Sequence, residues 1–223
     1  MAGNIIILGD SWGVPNYEYD EIGGAKPEDH LEYILRRQGH SVQNFAQNGK
    51  GNLESIELAL EYSRSNHVGW VIWFHTEVLR DRYLVNMDQP YTIEALTQKL
   101  AREIYKRFRQ LRNSAECRSI VIGGQAPVLP LFEKTINVDL LITDWRSEIL
   151  GQKMPPIHSL CHLDLIENDL CKDSFEYKSK LLKQHDRILR AMKRSKDFPD
   201  NAHPGAKPHR KLAKTIQKLI KPK

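Results

Sequence analysis

Cysteine is scarce: Cys117, Cys161 and Cys171 are the only three in 223 residues. An odd number with no Cys-x-x-Cys pair excludes a disulfide framework and points to reduced thiols in a reducing compartment. Long apolar runs are missing too. Ile5 to Leu8 is strand-sized, far short of the roughly 20 residues that span a bilayer, so neither a transmembrane helix nor a membrane partner is expected. The opening Met1-Ala2-Gly3-Asn4 has no basic stretch and no small-residue cleavage pattern, so no secretory signal is read and a cytoplasmic location is expected. No internal repeat, low-complexity tract or convincing linker divides the chain, which is read as one domain over residues 1–223.

What is present is ordinary for a folded chain: 40% hydrophobic and 27% charged residues exclude collagen-like and strongly disordered classes. The net charge of +5 is unevenly spread, because residues 171–223 hold 16 Lys and Arg against five Asp and Glu. Such a block can meet phosphate backbones, yet no nucleic-acid motif or basic-aromatic pattern accompanies it, and a solvated face explains it more simply. No nucleic-acid partner is expected.

Asn4 to Leu8 is a β-branched run of the kind buried on both faces of a parallel sheet. Leu31, Ile34 and Leu35 mark a short helix stopping near Gly39, and Ser41 to Phe45 a second strand. Asn52 is read as the cap of a helix carrying Leu53, Ile56 and Leu60. Trp70 to Phe74 is a third strand. Ile93, Leu96, Leu100, Ile104, Phe108 and Leu111, at spacings of three and four, define a long helix, and Arg118 to Ile122 a fourth strand closed by Gly123-Gly124. Val138 to Thr143 is a candidate last strand, while Pro127 to Pro130 and Gly151 to Ile157 read as loops. Tyr177, Leu181, Ile188, Leu189 and Met192 suggest one more helix, and His209 to Ile220 another after the Pro204 to Pro208 break. Alternating strands and helices imply an α/β fold, a three-layer α/β/α sandwich with a central parallel sheet of about five strands, flavodoxin-like in type.

The chemistry concentrates at two places. Gly9-Asp10-Ser11-Trp12 follows the first strand directly, and in an open α/β sheet functional groups collect beyond the carboxyl ends of the strands. Ser11 can be a nucleophile if a base lies within hydrogen-bond reach and donors face the developing oxyanion; a plain capping serine is the alternative. Near the other end stands Asp200-Asn201-Ala202-His203-Pro204-Gly205, in which Asp200 can orient the His203 imidazole so that Nε2 takes a serine proton. No Gly-x-Ser-x-Gly elbow occurs, which argues against the α/β-hydrolase pattern.

Ser11 after the first strand and Asp200/His203 before the last helix resemble the SGNH, or GDSL-like, hydrolase family of esterases and lipases. The resemblance implies a catalytic triad of Ser11, Asp200 and His203. It also implies an oxyanion hole built from the backbone N–H of Ser11 and, in the block Asn44-Phe45-Ala46-Gln47-Asn48-Gly49, that of Gly49. The third block departs from the family: where Gly-x-Asn-Asp is usual, this chain has Phe74-His75-Thr76-Glu77, so Thr76 stands at the asparagine's place and its hydroxyl is the expected third donor. That departure also resembles divergent members in tailed-phage genomes, which makes a phage-encoded origin an expectation. Asp10, Trp12, His75, Glu77 and Arg80 are candidate substrate contacts, with Glu77 and Arg80 alternatively paired at i,i+3 and His75 alternatively packed in the core. A zinc site drawn from His158, Cys161, His162, Asp164 and Cys171 has poor spacing, so neither metal nor cofactor is expected.

The resemblance implies a serine esterase releasing a small acyl group, such as acetyl, from a carbohydrate or other polar molecule. Two other classes stay open: a catalytically weak or inactive binding module on the same scaffold, and a nucleic-acid-associated protein using the basic C-terminal segment.

Overall fold

The computed structural model describes residues 4–14, 27–84, 91–124, 126–155, 165–166, 171–198 and 203–220. Five strands, β1 (Asn4–Gly9), β2 (Val42–Asn44), β3 (Val68–His75), β4 (Arg118–Gly123) and β5 (Leu140–Ile142), form one sheet in the order β2-β1-β3-β4-β5, every pairing parallel. The expected α/β architecture is the observed one. Ile5 to Leu8 and Val71 to Phe74 are fully or almost fully buried, as continuous apolar strands must be when helices cover both sheet faces. After β2 the order reverses, with β3 on the far side of β1, so a crevice opens beyond the carboxyl ends of β1 and β3.

Seven α-helices surround the sheet among the described residues: α1 (Leu31–Arg37), α2 (Asn52–Ser63), α3 (Ile93–Ala115), α4 (Pro130–Thr135), α5 (Trp145–Leu150), α6 (Phe175–Lys193) and α7 (Ala206–Ile220). The α3 stripe from Ile93 to Leu111 is buried as its spacing predicts. It meets an aromatic cluster in which Trp73 of β3 lies 4.5 Å from Phe108 and 6.0 Å from Phe132, ring centroid to centroid. Helix α2 packs on α3, and α1 packs on α7.

Several sequence expectations need correction. Asn52 is the first residue of α2, not its cap: Gly51 holds the cap position and offers no side chain. The carboxylate of Asp81, on the 3-10 turn Val78–Leu84, accepts instead from the backbone N–H groups of Asn52 (2.9 Å) and Leu53 (3.2 Å). Pro130 begins α4 rather than ending a loop, and α5 was not legible at all; each is six residues, too short for a helical period to register. Leu189, one of the residues that mark α6, is 45% exposed. Helix α7 starts at Ala206, so Pro208 lies in its first turn, where a missing N–H breaks no intrahelical bond.

Candidate active site

The site grows out of the end of β1. Gly9 has φ +124°, and a Cβ there would overlap the carbonyl oxygen of Phe74, so only glycine lets β1 and β3 close up at their carboxyl ends. The chain then turns at once. The carbonyl of Asp10 accepts from Gly13 N–H (2.9 Å) and its side-chain Oδ1 from Trp12 N–H (3.0 Å), an Asx-type turn with Ser11 at its apex. Trp12 is buried against Trp145 (5.8 Å) and Phe198 (5.9 Å), which anchors the turn on both the α5 side and the segment leading to His203. The Gly205 N–H, two residues past His203, donates to the Asp197 carbonyl at 2.8 Å.

These anchors bring together residues 192 positions apart. His203 Nε2 lies 2.8 Å from Ser11 Oγ, within the distance at which an imidazole can take a hydroxyl proton. Both side chains are partly accessible. Asp200 lies outside the described residues, as do His158, Cys161, His162 and Asp164. Of the zinc candidates only Cys171 is described, a buried thiol 3.7 Å from the Leu165 carbonyl, and no described group of side chains could hold a metal ion.

Gly49 occupies an exposed turn just past β2 with φ +72°, in the left-handed region that glycine adopts without strain. Asn44 ties this second block to the Ser11 turn: its Nδ2 donates to the Gly13 carbonyl (2.8 Å) and to Glu32 (2.7 Å), while its Oδ1 accepts from Ala46 N–H (2.9 Å).

Thr76 has its partner inside the fold. Its hydroxyl donates to Asp10 Oδ2 at 2.6 Å, and a threonine has one proton to give. The residue is fully buried, with its backbone N–H and carbonyl both bonded to the Asn52 side chain (3.0 and 3.2 Å). Thr76 is thus a clamp between the ends of β1 and β3. Asp10, Trp12, His75 and Glu77 are buried as well. His75 meets the Tyr105 hydroxyl at 3.2 Å, and burial lowers its pKa to about 4, so it is neutral packing.

Arg80 remains at the surface of the site, its side chain 13% exposed. It pairs with Glu77 at 3.8 Å, the i,i+3 pair expected from the sequence, and with Asp10 at 3.7 Å. Glu77 also acts electrostatically on Arg146 and His185, both buried and neither singled out by sequence spacing. Sequence reading also missed His30 and His209, whose rings lie 4.2 Å apart beside the site. His30 Nε2 reaches the Trp12 carbonyl (3.4 Å); burial lowers its pKa to about 4 despite that contact, and burial plus the neighbouring His30 and His203 lowers His209 well below the usual imidazole range.

No family model and no curated protein matches the sequence. Among solved structures, the chain is similar to the YxiM protein of Bacillus subtilis, with 14% identity, a TM-score of 0.44 and 98% of this chain covered; it spans 57% of that protein's length. It is also similar to a lipase/acylhydrolase from Enterococcus faecalis, with 14% identity and a TM-score of 0.39, covering 99% of this chain and 98% of that one.

Proposed function

We propose that the protein is a cofactor-independent serine esterase of the SGNH type, acting on a small acyl ester such as an acetylated carbohydrate or other polar molecule. The observation that carries the reading is the 2.8 Å approach of His203 Nε2 to Ser11 Oγ at the crevice beyond β1 and β3. With Nδ1 protonated, Nε2 accepts the serine proton as Oγ attacks the ester carbonyl; the carbonyl π pair moves onto oxygen. The backbone N–H groups of Ser11 and Gly49 stabilise that oxyanion. Collapse expels the alkoxide, which takes the proton from His203, and water attacks the acyl-serine by the same route in reverse. Asp200, three residues before His203, orients the imidazole.

A second reading has one observation in its favour. Since Thr76 gives its proton to Asp10, the hole lacks the side-chain donor expected at that position, which suits a binding module of low turnover. Hydrolysis of p-nitrophenyl acetate separates the two. The esterase reading expects Ser11→Ala and His203→Ala each to lose several orders of magnitude in kcat with unchanged folding, and Asp200→Ala to lose less. Equal rates in wild type and Ser11→Ala would leave the binding module.

A further inference from the structure

Arg80 stands where the two halves of the proposed oxyanion hole meet. Its Nη1 lies 3.7 Å from Oδ2 of Asp10, the residue before Ser11, and donates at 3.3 Å to the carbonyl of Lys50, the residue after Gly49. One guanidinium therefore touches the chain neighbours of both backbone donors. It reaches that seam from the turn after β3, where the Arg80 N–H bonds back to the Glu77 carbonyl at 3.1 Å and the side chain folds over Glu77. Asp10 and Glu77 are wholly buried, so they hold the fork from below while part of the side chain stays accessible above. A planar fork of five N–H donors can serve several acceptors at once, which a threonine hydroxyl committed to Asp10 cannot.

We infer that Arg80 supplies the third donor of the oxyanion hole, in the role that Thr76 cannot fill. The inference rests on the esterase reading and adds to it a catalytic residue. As Oγ bonds to the carbonyl carbon and the π pair moves to oxygen, Arg80 donates a hydrogen bond to that oxygen, transferring no proton. A full positive charge there strengthens as the oxyanion forms, so the effect belongs to kcat rather than KM.

The test compares wild type, Arg80→Met and Arg80→Lys in hydrolysis of p-nitrophenyl acetate and of the anionic p-nitrophenyl succinate monoester, with melting temperatures measured alongside. Arg80→Met should lose about 10²- to 10³-fold in kcat on both esters with little change in KM. Millimolar guanidinium, below denaturing levels, should restore part of the rate in a truncated Arg80→Ala variant, which a merely structural arginine would not allow. Arg80→Lys keeps a cation between Asp10 and Glu77, so it guards against misfolding of the neutral variants. It should melt near wild type and still lose at least about tenfold in kcat, because the planar fork is gone. Undiminished kcat in a folded Arg80→Met or Arg80→Lys overturns the assignment alone, as does a loss confined to KM for the succinate ester, which would make Arg80 a reader of substrate charge. A wild type inert toward both esters, with no reaction at Ser11, overturns the esterase reading and the assignment with it.

Discussion

At the scale of single residues, Thr76 shows how one short hydrogen bond reassigns a side chain. The hydroxyl that the family resemblance places in an oxyanion hole lies 2.6 Å from a buried carboxylate. Thr76→Val should therefore leave Asp10 short of a donor in a site without water access and destabilise the fold by about 1–3 kcal/mol, seen as a lowered melting temperature. An unchanged melting temperature with kcat reduced 10²- to 10³-fold would return Thr76 to the hole. Ser11 and His203 were legible because each sits in a short polar block directly after a buried strand or before a helix. The Thr76 partner was not, since it depends on how closely β1 and β3 converge, and nothing in local spacing reports that convergence.

At the scale of elements, the start of α2 depends on a residue about 30 positions away. Asp81 accepts from the N–H groups of Asn52 and Leu53, a capping role that sequence reading gave to Asn52 because Asn is a common cap and no rule links a distant aspartate to a helix start. Asp81→Ala should destabilise the chain by about 1–2 kcal/mol in denaturant titration and loosen the Gly49 loop leading into α2. Asn52→Ala should cost comparably, since it frees the N–H and carbonyl of Thr76. If Asp81→Ala melts like wild type, the cap is not what starts α2. The strands and long helices were legible from apolar runs and three-four spacing; α4 and α5, at six residues each, are held by tertiary packing of Phe132 and Trp145 and, in α5, by the Asp144 cap on Ser147 N–H.

At the scale of the whole molecule, the fold is set to resist acid poorly. His30 and His75 are buried with pKa values lowered from 6.5 to about 4 by desolvation. Between those values the unfolded chain binds more protons than the folded one, so stability is complete above pH 6.5 and falls as the pH drops toward 4. Asp81, whose pKa burial raises, works against that trend without reversing two histidines. Melting temperature should decline steeply over that window, and less steeply in His75→Gln, which keeps a partner for Tyr105; a flat profile would contradict the buried-neutral assignment. The long-range order that places these histidines, like the one that joins Ser11 to His203, comes from the crossing of the strand order at β1. The alternation of strands and helices announced that crossing in outline only.

If Ser11 is an activated nucleophile, a fluorophosphonate probe reacts with it whatever the natural substrate. The probe's phosphorus accepts the serine oxygen and releases fluoride, so intact mass followed by peptide mapping reads the site directly. One adduct per chain is expected, on the peptide containing Ser11, absent in Ser11→Ala and greatly slowed in His203→Ala. A folded wild-type chain that takes no adduct, or an adduct that persists in Ser11→Ala, would contradict it.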